Sequence, residues 1–412
     1  MKKLAATIWA ASRTASWLVI LLASSVEAAD WKAGAAKTVI TPTESMWMSG
    51  YGSRDHPSEG TLHDLWCKGL AIEDPRGNRA VLVTLDLCGI SKSVSDTVCE
   101  RLKLKLGIQR ESIMIATSHT HTGPMIENNL EAMFELSAEE RRKIAAYTRT
   151  LEDKIVATVA DAFAKLEPAR LAWANGTATY AVNRRNNPEA KVPELRERGE
   201  LKGPVDHEVP VLCVRSLEGE IKSVVFGYAC HATVLSFYQW TGDHPGFAQI
   251  ELEKNHPGAV ALFFAGCGAD QNPLPRRSVE HAEQYGRELA ASVDAVLRSA
   301  MHSVGDRLSM RYELLDLPFD TLPAPDELKK QLQGSNKYES RRAKNLLAEL
   351  ERSGKLSLSY PYPVQFWKLG DGSDDLRWIA LGGEVTVGYS LRLKREVGPG
   401  RTWVAGYAND VM

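Results

Sequence analysis

SIMIATSHTHTGP, Ser112 to Pro124, runs from an apolar stretch directly into a polar turn that carries two histidines. Ile113 to Thr117 offers no charged face, which suits a central strand covered by helices on at least one side. Alternate residues of a strand face the same way, so His119 and His121 can point into one cavity beyond the strand's carboxyl end. Neutral imidazoles placed like this suit zinc, and they equally suit a plain polar turn.

The same kind of run recurs along the chain. Apolar or β-branched stretches at 79–87, 112–117, 169–174, 208–215, 222–229, 259–264, 307–317 and 376–381 are predicted strands. Helices are predicted at 91–106, 138–166, 278–300 and 325–352. In the second of these, Ser137 precedes Glu140 in capping-box spacing, and Ile144, Tyr147, Leu151, Ile155, Val159 and Phe163 mark a core-facing stripe. The fourth is so charged that it reads as a solvated surface helix or a lid. Residues 183–206, rich in Asn, Pro, Arg, Glu and Lys, read as one long loop of the sort that often carries function. Strands mixed with helices throughout, with no internal repeat, predict a single large α/β domain over 30–412: a layered sandwich of mixed β-sheets flanked by helices.

Three further segments could carry chemistry. YACHAT around His231 follows the apolar run Ser223 to Gly227 and places a third imidazole at a strand's carboxyl end, where α/β folds gather ligands. WIALGGEVT around Glu384 breaks a strand at Gly382 and Gly383, which fits a crowded site that a carboxylate enters. A carboxylate serving a helix N-terminus would look the same. In VALFFAGCGADQNP, Val260 to Pro273, a buried strand opens into a small-residue turn. Its backbone amides could hold an oxyanion, or the turn could simply close on a self-bonded Asp270.

Composition narrows the partners. A formal net charge of −2 and a pI near 6.6 leave no basic excess to neutralise a run of phosphates, so nucleic acid is not expected. Lys2, Lys3 and Arg13, then the apolar run Trp17 to Ala23 and small residues up to Ala28, have the pattern of a secretory signal over 1–28. Cleavage after Ala28 or Ala29 would export the protein to the periplasm or beyond. The run is well short of the roughly 20 residues that a membrane-spanning helix needs. Export would permit pairing among the six cysteines, but Cys88, Cys213 and Cys230 sit in strand-like apolar runs, which favours buried thiols.

SGYG (49–52), LHDLW (62–66), SHTHTGP (118–124), VNRR (182–185), GD (242–243) and PGFA (245–248) follow one another in this order between residues 49 and 248. In these segments the chain resembles the catalytic N-terminal part of the neutral/alkaline non-lysosomal ceramidase family, enzymes that hydrolyse the amide of ceramide using one zinc. The resemblance implies that His119, His231 and Glu384 are the zinc ligands and that His121 and Arg184 stand at the reacting centre. It also puts Asn183, Asp243 and Gly268 on the substrate side.

The chain departs from the family pattern in two places. Where the family carries a nucleophilic serine in a Gly-Asp-x-Ser-Pro-Asn run, this sequence has Gln271, whose carboxamide cannot attack but can donate a hydrogen bond. Water is then the expected nucleophile, with Asp270 or His121 handling the proton. The family also continues beyond a segment like Gly406 to Asp410 into a tyrosine that completes the zinc site and an immunoglobulin-like domain, whereas this sequence stops at Met412. A C-terminally truncated domain is expected, with water, Tyr407 or Asp410 at the fourth zinc position. The resulting expectation is a zinc-dependent hydrolase of a linear amide in an N-acyl, ceramide-like lipid, compatible with peripheral membrane contact. The alternatives are an impaired relative that binds a lipid or glycan, and a zinc hydrolase of esters or phosphoesters.

Overall fold

The computed structural model describes residues 31–411, so the predicted signal segment lies outside the described residues. Eight strands build a large mixed sheet: β1 (Trp31–Val39), β2 (Trp66–Glu73), β3 (Arg79–Leu85), β4 (Ile113–Thr117), β5 (Glu167–Thr177), β6 (Glu208–Ser216), β7 (Ile221–Tyr228) and β8 (Val260–Ala265). Their spatial order is β8-β7-β6-β5-β1-β2-β3-β4, with His302–Ser303 adding a short pairing to β5. Neighbours are antiparallel except β3 with β4 and β7 with β8, the parallel pairs at the two ends. A second sheet stacks β9 (Leu308–Pro318), β10 (Ser359–Leu369), β11 (Leu376–Leu381) and β12 (Thr402–Ala405) in that order. The helices are α1 (Lys92–Leu106), α2 (Ala138–Ala164), α3 (Val192–Glu197), α4 (Asp243–Asn255), α5 (Val279–Leu297), α6 (Pro325–Leu332), α7 (Lys337–Ser353) and α8 (Val387–Val397).

The period-two alternation of β3 and β4 sorts their side chains between two cores. Val81, Val83, Ile113 and Ile115 pack with α1 and α2, while Ala80, Leu82, Met114 and Ala116 meet Trp367, Trp378 and Trp403 of the second sheet. At the other end of the large sheet, Val211, Phe226 and Phe263 pack against Leu252 of α4 and Leu289 and Val293 of α5. The layers are therefore helices, large sheet and small sheet, the predicted α/β sandwich. Burying one Leu or Phe in such an interface stabilises by roughly 1.5–3 kcal/mol. The capping box at Ser137 and Glu140 forms as expected, and all six cysteines are free, buried thiols.

Some elements differ from their predicted form. The 325–352 helix is two, α6 and α7, because Gly334 interrupts it and Asn336 caps the new helix by accepting from Tyr338 N and Glu339 N. The hairpin is exposed but tethered: Tyr338 Oη donates to Gly52 O at 3.2 Å and Arg341 to Met133 O at 2.8 Å. The predicted loop at 183–206 contains α3, started by Pro193 in its first turn. Strands β1, β2, β10 and β12 and helices α4 and α8 carry weaker signals. β1 is built from Ala, Gly and Lys because α2 lies on it so closely that a Cβ at Gly34 would meet Ala162 O at 2.3 Å. β10 contains Pro361 and Pro363, tolerated because they pair only with β9, while pairing to β11 begins at Val364.

What matters for the site is how the two ends of the large sheet come together. β8 lies against β4, and the segments that follow β4 and β7 meet in a parallel bridge between Thr120 and Ala232. His121 N donates to Ala232 O at 3.2 Å. Two strand ends far apart in sheet order thus deliver their histidines to one place.

Candidate metal centre

His119 follows β4 at φ 57°, a left-handed conformation uncommon for a residue with a side chain. Its Nδ1 lies 2.6 Å from Cys88 O. His231 follows β7, and its Nδ1 lies 2.6 Å from Gly268 O. A carbonyl can only accept, so each Nδ1 carries the proton and each Nε2 is left as a lone pair. Backbone carbonyls behind imidazoles are a recurrent way of fixing a metal-binding tautomer.

Glu384 arrives from the second sheet. β11 ends at Leu381, Gly383 adopts φ 66°, and the chain turns so that the carboxylate reaches the histidines before α8 begins. Its oxygens lie 3.6 Å from His119 Nε2 and 3.4 Å from His231 Nε2. The candidate ligand atoms of His119, His231 and Glu384 all lie within 4.8 Å of one another. Two lone pairs and a carboxylate that face one point repel each other unless a cation lies between them, so the donor set fits a zinc-type ion.

Burial sharpens this chemistry. It lowers the His119 pKa to about 4, aided by His231 and Arg184 and opposed by Glu384. Burial and the neighbouring histidines put His121 well below its ordinary value. Burial alone would raise Glu384, but the facing imidazoles of His231 and His119 and the guanidinium of Arg184 hold it down, at about 2. At neutral pH His119 and His121 are therefore neutral imidazoles and Glu384 is an ionised carboxylate.

His121 lies beside this set rather than opposite Glu384. Its Nε2 is 3.0 Å from His119 Nε2, its Nδ1 is buried without a partner, and its ring meets Tyr51 edge-on at 4.7 Å. Gly50, at φ 96°, allows that approach, since a Cβ there would meet the His121 ring at 2.5 Å. Arg184 is half-buried with its Nε unpartnered, and Glu384 and Tyr407 lie close enough to act on its charge. Tyr407 is fully buried, and its hydroxyl too has no partner. Cys88 forms a second close group with His119 and His121.

Other expected residues sit elsewhere or act differently. Asp270 is not self-bonded: Oδ1 accepts from Val387 N at 2.9 Å, at the start of α8, and Oδ2 from Asn183 Nδ2 at 3.2 Å. The helix-terminus role considered for Glu384 thus belongs to Asp270. Gln271 is buried, with Nε2 on Pro204 O at 3.3 Å and Oε1 unpartnered. The amides of Ala269 and Gln271 are taken by Val385 O and Gly268 O, which removes both from oxyanion binding. Gly268 serves His231 through its carbonyl. Asp243 is fully buried and accepts from the amides of Val234, Leu235 and His244, so it organises the loop after His231. Asp410 bonds to Tyr360. Tyr51, which lies in the SGYG segment, and the Cys88 carbonyl are neighbours of the site to which the sequence reading gave no role.

The fold and this cluster define a layered α/β protein with a histidine–carboxylate centre at its strand ends. Residues 31–270 match the family described as neutral/alkaline non-lysosomal ceramidase, N-terminal, and the chain belongs to that family. The neutral ceramidase of Pseudomonas aeruginosa is 30% identical over 336 residues, 75% of this chain and 48% of that protein. Neutral ceramidase 2 of Arabidopsis thaliana is 34% identical over 110 residues, 26% of this chain and 14% of that protein. The crystal structure of the Pseudomonas aeruginosa enzyme superposes with a TM-score of 0.70 at 22% identity, over 93% of this chain and 68% of that one. At that identity the likeness is one of fold. The chain spans about half the length, or less, of these curated relatives.

Proposed function

We propose that this protein is a zinc-dependent hydrolase of a linear amide in an N-acyl, ceramide-like lipid, with water as the attacking group. One observation carries the metal part of the reading: carbonyls lock Nδ1 of both His119 and His231, so their Nε2 lone pairs face the Glu384 carboxylate. These three residues would hold the zinc. When bound there, zinc supplies a Lewis acid for an amide carbonyl and lowers the pKa of water. The amide-linked lipid is supported by the name its relatives share, ceramidase.

The chain's own side chains divide the remaining work. Arg184 and the Tyr407 hydroxyl have unpartnered donor atoms at the cluster and would stabilise the negative charge that develops on the amide oxygen. His121, neutral and with Nδ1 free, would take a proton from the attacking water and return it to the leaving amine. Asp270, with both oxygens engaged, would position α8 and Asn183 instead of moving protons. Gln271 offers no nucleophile, which favours water. Export through residues 1–28 belongs to the same proposal and would place the reaction outside the cytoplasm.

The test is metal analysis of purified protein combined with turnover of fluorogenic N-acyl amides and matched esters, with and without chelator. About one zinc per chain and chelator-sensitive amide cleavage are expected. Ester cleavage alone would move the reading to an esterase, and metal without turnover of either would leave a binding protein.

A further inference from the structure

Glu384 stands between two environments. Its side chain is 40% exposed, whereas those of His119 and His231 are 1% exposed, so the cluster is approached from the Glu384 side. A groove of about 960 Å³ begins at that residue. It lies on the face of the second sheet turned away from the large sheet, with Val364, Phe366, Ile379 and Leu381 as its floor and Leu393 of α8 as a wall. Ligand sites commonly occupy roughly 300–1,000 Å³.

The lining also says what kind of ligand fits. Apart from Glu384, its charged residues are Arg392 and Glu396, which pair with each other at 2.8 Å. The Tyr362 hydroxyl is already committed to Gly382 O at 2.7 Å. A peptide or glycan in the groove would bury polar groups with few partners, which is costly. A saturated alkyl chain has none to satisfy.

We propose that this groove is the subsite for the alkyl chain of the substrate's acyl group, with the scissile amide at Glu384 and the chain running over Leu381 and Val364. The inference rests on the reading that an amide is held at His119, His231 and Glu384. It makes acyl length a determinant of specificity, set by the second sheet and α8. It also gives Leu315 and Leu317, each 44% exposed at the groove, a function as apolar surface.

Binding is measured on metal-free protein by displacement of a fluorescent acyl amide with octanamide, dodecanamide and hexadecanamide, whose uncharged head groups are not repelled by the Glu384 carboxylate. Affinity should rise by up to roughly fourfold per methylene accommodated. Val364→Trp, which fills the groove, should weaken hexadecanamide at least about tenfold and flatten the length dependence. Val364→Leu should keep it. With amides, the kcat/KM ratio of dodecanoyl to acetyl substrates should collapse towards unity in Val364→Trp. If circular dichroism shows that variant to be misfolded, Leu393→Trp blocks the groove from the helix side. Absence of acyl-amide binding, or a length dependence that survives both tryptophans, overturns the subsite. Length-dependent binding without amide cleavage would overturn the function proposed above and leave the subsite standing. Cleavage indifferent to length would do the reverse.

Discussion

The ring of Tyr407 lies stacked on the imidazole of His119, with centroids 4.1 Å apart and planes inclined by 26°. The stacking holds a buried, unpartnered hydroxyl beside Glu384 and Arg184. A buried hydroxyl without a partner costs stability, so Tyr407→Phe should leave metal-free protein as stable or about 1 kcal/mol more stable. It should lower kcat roughly a hundredfold, as loss of an oxyanion donor does. Thermal unfolding and turnover check the two arms separately, and unchanged kcat would remove Tyr407 from the reacting centre.

The ligand assignment makes His119, His231 and Glu384 act as one unit. His119→Ala and Glu384→Gln should each bring bound zinc below stoichiometric and reduce amide turnover by about a thousandfold or more, the loss of several kcal/mol of charge stabilisation. His121→Ala should keep the metal and lose turnover. Zinc retained in His119→Ala would sink the assignment.

The perturbed acid–base groups give the metal-free protein a defined acid sensitivity. His119 titrates at about 4 when folded against an ordinary 6.5, and Glu384 at about 2 against 4.5. Both bind fewer protons in the folded state, so stability falls as pH drops, through 6.5 to 4 for the histidine and through 4.5 to 2 for the carboxylate. The histidine's part amounts to at most about 3 kcal/mol. Melting temperatures of chelated wild type should decline from pH 7 to 5, and less steeply in His119→Phe. A flat profile would contradict the burial of a neutral His119.

Asp243 separates a structural from a substrate-binding role. Asp243→Ala strands the amides of Val234, Leu235 and His244 and should cost about 3 kcal/mol or more in denaturant unfolding. An effect confined to KM, with stability intact, would restore the substrate-side assignment.

Gln271→Ser tests the identity of the nucleophile. With water attacking, a serine there should not raise kcat, and no burst of released amine should precede the steady state. A burst would show that the buried position can host covalent catalysis.

The strands that carry the histidines and the capped α2 were legible because each depends on local information, whereas the set His119, His231 and Glu384 was singled out by the family resemblance. Apolar runs mark buried strands, a Ser-to-Glu spacing marks a helix start, and two glycines mark a break. Strand β1 was not legible, because its small residues answer to the close approach of α2 at Gly34 and not to any strand propensity. The same holds for Asp270, whose partners Val387 and Asn183 lie on other segments. By itself, then, the sequence determined an α/β chain with three metal-type side chains at element ends. Only the tertiary structure decided that the Cys88 and Gly268 carbonyls set the imidazole tautomers, that Tyr407 backs His119, and that an apolar groove begins at Glu384. Hydrogen-bond direction and cavity shape depend on segments brought together from across the chain, and no local pattern encodes them.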